Sequence, residues 1–382
     1  MKGIYSLQDF EPVAEKFLPR ALYGFISNGA ERNVSVTANV EIFNKLAFVP
    51  RALVDTDGRT QKIKLLGREY SSPFGIAPMG GSALASYQGD LVFARAAARA
   101  NIPMIMSHIS FMPMEKIAAE GNSWFQIYVP FNPEQRRQLL DRVEKAGFET
   151  LVVTVDTPVV GNRDNIAKHG YSMPLKPSLK LLWDGMSHPR WLAKTVLRTF
   201  LSSGIPHLEN MPSGIRVPLI GKKFPSAIDF RPVSWTEMKQ IRETWKGNLI
   251  MKGVVSPKDV KLAKEHGFDG VIVSNHGGRQ LDGTISTLAA LPQIVAVAGD
   301  MPVMLDGSIR RGSDVLKALA LGARFVFVGR PFLYAAAVGG EAGVSHAIKL
   351  LSEEIDRNQA LLGLRKLSEM SQEYLAPTGT SE

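Results

Sequence analysis

The chain has 382 residues, 45% of them hydrophobic and 21% charged, which is long enough for a large core and ordinary for a globular protein. It has no cysteine, which excludes disulfides and thiolate chemistry, and no uninterrupted apolar run of about 18 residues, which excludes a membrane-spanning helix. The formal net charge of +9 favours anionic partners. No zinc-finger or RNP-type motif accompanies that charge, so nucleic acid is not expected. The opening stretch, MKGIYSLQDFEPVAEKF, lacks the apolar core of a secretory signal, and with the missing cysteines this leads to the expectation of a cytoplasmic protein.

Residues 1–50 read as helical and peripheral. From residue 74 a rhythm begins, in which short apolar runs ending in Gly or polar residues alternate with longer stretches of helical spacing. The runs are Phe74–Pro78, Pro103–Ser107, Trp124–Val129, Leu151–Asp156, Leu249–Lys252, Val271–Ser274, Val303–Asp306 and Phe325–Gly329. Helical spacing occupies Gly89–Ala100, Asn132–Ala146, Ser234–Lys246, Pro257–His266, Ser313–Leu321 and Gly340–Gly363. Strands alternating with helices predict a parallel sheet, and eight such units predict an α/β fold, a (β/α)8 TIM barrel. An open doubly wound sheet is the competing topology, but no GxGxxG follows an early strand. The whole chain, 1–382, is expected to be one domain.

Barrel active sites form where the strands end, so those ends are one candidate ring. The richest is Gly270 to Gly283, GVIVSNHGGRQLDG. A β-branched strand stops abruptly in His276, two glycines and Arg279. Glycine permits tight turns and close approach to a ligand. His276 is a base near neutral pH, and Arg279 offers a planar fork for a carboxylate. Taken alone, a core histidine beside a surface arginine is the simpler reading, as a satisfied turn or cap is for any polar residue at a strand end.

The run SNHGGRQLDG resembles the active-site signature of the FMN-dependent α-hydroxy-acid oxidases and dehydrogenases, and the resemblance extends over about residues 5 to 375. It implies FMN as cofactor, no metal, and oxidation of an (S)-2-hydroxy acid, mandelate- or lactate-like, to the 2-oxo acid. His276 would be the base, with Asp156 behind it to stabilise the imidazolium. Arg279 and Arg163 would hold the substrate carboxylate, and Tyr128 would contact its hydroxyl or carboxylate. Pro78, Met79 and Gly80 match a flavin-edge loop. Gly80 stands where oxidases often carry Ala. Ser107, Gln126, Thr154 and Ser274 would surround the flavin ring, and Lys252 would stabilise the reduced, anionic flavin. Asp306 would lie near the ribityl chain, Arg310, Gly329 and Arg330 at the phosphate, and Ser308 within the same cofactor site. The family usually has Gly where Ser308 stands. It usually has a Tyr at the position of Phe25, which keeps the ring but has no hydroxyl donor. Ile109 replaces a bulky Trp of glycolate oxidase, which implies a roomier apolar substrate pocket lined by Phe25 and Ile109. The rival class is a barrel binding a sugar phosphate without flavin, or a divergent FMN protein with an unusual substrate.

The stretch 168–232 does not fit a βα connection and reads as an insertion after the fourth strand. Within Pro189 to Leu201, Leu192, Val196 and Phe200 fall on one helical stripe, and Arg190, Lys194 and Arg198 on another. Apolar and basic stripes side by side suit a helix on an anionic membrane surface, peripheral on the cytoplasmic membrane. They equally suit a helix packed on its own barrel or on a sister subunit. The segment WDGMSHPRW resembles the membrane-associated members of the family. From these follow the expected partners: a small 2-hydroxy acid, a quinone acceptor with O2 as the alternative, a membrane surface, and a homo-oligomer, a tetramer by resemblance.

Overall fold

The computed structural model describes residues 1–172, 174–212, 215, 217–221 and 232–378. Eight parallel strands close into a barrel: β1 (Phe74–Ile76), β2 (Met104–Ser107), β3 (Ser123–Ile127), β4 (Thr150–Thr154), β5 (Asn248–Val254), β6 (Gly270–Val273), β7 (Val303–Asp306) and β8 (Phe325–Val328). Each strand pairs with its neighbours in chain order, and β8 returns to β1. The outer helices that separate them are Gly89–Arg99, Met114–Ala118, Pro133–Lys145, Trp235–Thr244, Pro257–Glu265, Thr287–Ala298, Gly312–Ala320 and Arg330–Leu362. The second and sixth lack the distinct helical spacing of the others. Met114–Ala118 is little more than a turn, and Thr287–Ala298 (TLAALPQIVAVA) is apolar almost all round and carries Pro292, so it shows no amphipathic stripe.

The period of two along each strand makes two cores. Ile105, Trp124, Val152, Ile250, Ile272, Met304, Phe325 and Phe327 point inward and form one apolar cluster. A small hairpin of Ile63–Leu65 and Arg68–Tyr70 closes the lower mouth, with Leu65 and Tyr70 in the same cluster and the Tyr70 ring 5.9 Å from that of Phe325. The alternate residues, such as Phe74, Met106, Phe125, Val153 and Val326, face the helices in a larger core. Two residues beyond the inward apolar layer come Ser107, Gln126, Thr154, Lys252, Ser274 and Asp306, all buried. The same period that fills the barrel thus stacks a polar layer on top of it.

The N-terminal helices Phe10–Phe17, Arg20–Ser27 and Val34–Glu41 lie against the barrel, and Arg20–Ser27 carries Phe25 to the upper mouth. The Asp184 carboxylate accepts from the Arg20 and Ala21 N–H groups at 3.0 and 2.9 Å, capping that helix from the inserted stretch. The insertion is itself partly helical: Leu179–Met186, Pro189–Trp191, a π-helical segment Leu192–Leu197, and Arg198–Ser203. Asn210 pins its return, accepting from the Met114 N–H (2.9 Å) and donating to the Met112 carbonyl (3.0 Å). Residues 222–231 of the insertion lie outside the described residues. No helix among the described residues is long and apolar enough to cross a membrane.

Candidate active site

Strand register gathers the polar layer into two hydrogen-bonded groups. The Ser107 hydroxyl donates to Gln126 Oε1 (3.2 Å), and Gln126 Nε2 donates to Thr154 Oγ1 (2.9 Å). On the other side, Lys252 Nζ donates to Ser274 Oγ (3.0 Å) and pairs with Asp306 at 2.9 Å. Burial opposes the charge on Lys252, but Asp306 and Asp156 hold its pKa above the ordinary lysine value, so it is a fixed cation. After Lys252 the strand bulges at Gly253, whose φ is +103°. A Cβ there would lie 2.6 Å from Asp156 Cγ, so only glycine leaves the carboxylate its place.

Asp156 Oδ1 lies 3.0 Å from His276 Nδ1. A carboxylate only accepts, so Nδ1 carries a proton toward Asp156 and Nε2 is the ring nitrogen on the other side. Burial works against the Asp156 charge, yet His276 and then Lys252 keep its pKa below the usual range. His276, Gly277 and Gly278 run through the left-handed region at φ +57°, +64° and +76°. Histidine is among the few side chains that enter it readily. A Cβ on Gly278 would meet Val36 Cγ2 at 2.8 Å, so the glycine lets the N-terminal segment close over this turn. The Ala30 N–H donates to the Gly278 carbonyl at 2.8 Å.

Arg279 Nη1 donates to the Phe25 and Asn28 carbonyls at 2.7 and 2.8 Å, and its Cζ lies 4.7 Å from the Phe25 ring centre. Burial, with Arg163 and Arg330 nearby, pulls the Arg279 pKa well below the ordinary arginine value. Arg163 donates to the Arg279 carbonyl (3.1 Å) and to Gln280 Oε1 (2.8 Å). Buried guanidiniums that repel one another call for an anion between them.

These groups open on a cavity of about 770 Å³. Its walls include Pro78, Met79, Gly80, Ile109, Gln126, Tyr128, Thr154, Arg163, Lys252, His276, Arg279, Asp306, Ser308, Arg310, Gly329, Arg330 and Phe25. Ser107, Ser274 and Asp156 stand one layer behind, holding Gln126, Lys252 and His276. Ser308 adopts φ +59°, a conformation in which glycine would be unstrained. Arg330 donates to the carbonyls of Ile26 (2.8 Å) and Gly277 (3.1 Å), so it ties the N-terminal helix to the His276 turn as well as lining the cavity. Burial and Arg310 bring its pKa down to about 10.

The residues fit an FMN molecule. Asp306 Oδ1 and Ser308 Oγ are buried without a partner among the described residues, as acceptors and donors for a polyol chain would be. Arg310 and Arg330 offer paired positive charge to a phosphate, and the fixed Lys252 cation suits an anionic reduced ring. Among the described residues, no group of three His, Cys, Asp or Glu could hold a metal.

One wall residue escaped the sequence. Tyr171, eight positions after Arg163, stacks on Phe25 with ring centres 4.1 Å apart and is only 8% exposed. It lies in an insertion with no strand or motif to signal it, and only its ring contact reveals it.

A family model described as FMN-dependent dehydrogenase matches residues 14–377. The chain is 35% identical to (S)-mandelate dehydrogenase of Pseudomonas putida over 388 residues, covering 100% of this chain and 96% of the relative. It is 36% identical to L-lactate dehydrogenase of Stenotrophomonas maltophilia over 379 residues, covering 97% and 98%. Among solved structures it is similar to the monotopic membrane protein (S)-mandelate dehydrogenase, with a TM-score of 0.91, 35% identity and coverage of 98% and 100%. It is also similar to mandelate oxidase bound to (S)-2-phenylpropionate, with a TM-score of 0.81, 31% identity and coverage of 98% of each chain.

Proposed function

The chain belongs to the FMN-dependent dehydrogenase family, and we propose that its reaction is the oxidation of an (S)-2-hydroxy acid of mandelate or lactate type to the 2-oxo acid. The observation that carries this is the meeting, in one cavity, of a histidine backed by a carboxylate and two buried guanidiniums with donors to spare. FMN, when bound, supplies the two-electron acceptor. Arg279 and Arg163 hold the substrate carboxylate, and Tyr128 contacts the hydroxyl or the carboxylate. His276 Nε2 receives the proton that the substrate gives up, while Asp156 stabilises the resulting imidazolium. Lys252, already charged and paired, meets developing negative charge without reorganisation.

Ile109 and Met79 give the substrate end of the cavity an apolar wall, which supports an acid with an aromatic or long aliphatic group over glycolate. The insertion supports attachment to a membrane. Leu179, Trp183 and Leu201 are 86%, 73% and 75% exposed, with Leu182, Met186, Leu197 and Phe200 exposed beside them. Arg190 and Lys194 are exposed on the same segment. Large apolar side chains with basic neighbours are what an interfacial helix presents to anionic lipid, and a quinone dissolved there is the acceptor this reading implies. The similarity to a monotopic membrane protein supports the same arrangement. A homo-tetramer is the proposed assembly, and light scattering that gives a monomer mass would refute it.

The deciding experiment is anaerobic. The yellow holoprotein is mixed with the separate enantiomers of mandelate, lactate, glycolate and a long-chain 2-hydroxy acid, and the flavin absorbance is followed. Bleaching by an (S)-acid is expected, fastest with mandelate or the long-chain acid. No bleaching by any of them refutes the reaction. Readmitting O2 or a soluble quinone then identifies the acceptor.

A further inference from the structure

Tyr171 lines the cavity, and its phenolic hydroxyl is buried with no hydrogen-bond partner among the described residues. Buried hydroxyls are seldom left so, because an unmade hydrogen bond is destabilising. The ring is well held: it stacks on Phe25 at 4.1 Å with 19° between planes, and Phe25 in turn lies under the Arg279 guanidinium. Tyr171 follows the short helix Asp164–Lys168, which begins next to Arg163. His169, in the same stretch, fills the space beside Gly24, where a Cβ would meet its ring at 2.7 Å. One contact therefore registers this segment against the helix that carries Phe25. Phe25 contributes a ring and no donor, while Tyr171 contributes both.

We propose that the Tyr171 hydroxyl binds the carboxylate of the 2-hydroxy acid together with Arg279 and Arg163, which makes the stretch after β4 part of the substrate site. The proposal rests on the reaction proposed above, since it takes its ligand from there. Burial raises the Tyr171 pKa, and the two guanidiniums only partly offset it, so at neutral pH the group is a protonated donor. A neutral O–H beside two cations can donate to an anion without adding charge of its own, and a hydrogen bond to a charged group is among the stronger kinds. The orphaned hydroxyl is then explained as a group kept for the ligand.

The test compares wild type with Tyr171→Phe, both loaded with FMN. Binding of 2-oxo-2-phenylacetate, which carries the carboxylate but is not oxidised, is followed through its perturbation of the flavin spectrum, and thermal melting is followed without ligand. The variant keeps the ring stack, so the yellow colour should remain. Its Kd for the oxo acid should rise roughly 10- to 100-fold, the loss expected for a hydrogen bond to a charged group. Its ligand-free Tm should stay level or rise, because an unsatisfied hydroxyl has been removed. A Kd within twofold of wild type overturns the contact. A weakened Kd with a lowered ligand-free Tm also overturns it, since that pattern describes a structural role. A wild-type protein that neither bleaches with any 2-hydroxy acid nor binds the oxo acid removes the proposed reaction, and the contact falls with its ligand.

Discussion

His276 unites three properties that no other side chain offers at this position: tolerance of φ +57°, a Nδ1–H for Asp156, and a basic Nε2 for the cavity. Glutamine at 276 can keep a donor toward Asp156 but has no basic nitrogen. His276→Gln should therefore retain bound flavin while anaerobic bleaching slows about 10²- to 10⁴-fold, the range for a general base. Bleaching at the wild-type rate would take His276 out of that role. Gly253 is the second such position. Alanine there needs both a left-handed backbone and the space now filled by Asp156, 2.6 Å from the added carbon. Gly253→Ala should lower bleaching rates with FMN still bound, as the carboxylate is pushed from His276. A wild-type rate would mean the bulge can relax without moving it.

Among the elements, the insertion departs most from its expected pattern. The stripe Leu192, Val196, Phe200 assumes a regular α-helix, but Leu192–Leu197 is π-helical, and its wider turn changes which residues share a face. Leu192 turns partly inward and Thr195 is buried, while Leu197 and Leu201 join Val196 and Phe200 outside. The basic stripe also divides. Arg190, Lys194 and Arg198 are all exposed, but Arg198 is held over the Tyr87 ring at 4.4 Å while the other two extend into solvent. The Trp191 indole N–H donates to the Leu84 carbonyl at 2.8 Å, which fastens the segment to the barrel at one edge. The combined variant Leu182→Ser/Trp183→Ser/Phe200→Ser/Leu201→Ser should abolish sedimentation with vesicles of anionic lipid and leave flavin bleaching intact. Wild-type protein that stays in the supernatant refutes the membrane surface, and an oligomer that the same variant dissociates would place a sister subunit there.

For the folded chain, two buried groups near the β2 loop make acid stability a matter of opposing proton linkages. Asp90 is buried and accepts from the Ser110 hydroxyl at 2.5 Å, and burial raises its pKa to about 6. His108 is buried, its Nε2–H donating to the Asn210 carbonyl at 3.1 Å, and burial lowers its pKa to about 4. Between pH 6.5 and 4 the unfolded chain takes up a proton at His108 that the folded one refuses, so this group's stabilisation is lost as pH falls. Between pH 6 and 4 the folded chain takes up a proton at Asp90 before the unfolded one does, so stability rises as pH falls. The two opposing effects are each about 3 kcal/mol. Asp90→Asn leaves only the first. Urea unfolding of both proteins should show the variant losing about 2 kcal/mol relative to wild type between pH 7 and pH 4. An unchanged difference would mean Asp90 titrates normally.

Barrel topology was legible in the sequence because it rests on local periodicity, while the members of the polar ring were named by the family resemblance and strand alternation explains why they share a layer. Alternation along a strand places Ser107, Gln126, Thr154, Lys252, Ser274 and Asp306 two steps beyond inward apolar residues, and a parallel βα repeat closes the strands in chain order. The run around His276 marked the cavity end of the barrel because its residues are neighbours in the chain. The relations between segments far apart in sequence were decided only by the tertiary structure. Asp184 caps a helix more than 160 positions away, Arg330 ties the N-terminal helix to the His276 turn, and Tyr171 slides under Phe25. No local pattern encodes those contacts, since they arise when packing brings together surfaces whose spacing in the chain has no period. The outward face of the insertion belongs with them, because a π-helical turn follows from how a segment docks, whereas propensity alone predicts a regular helix.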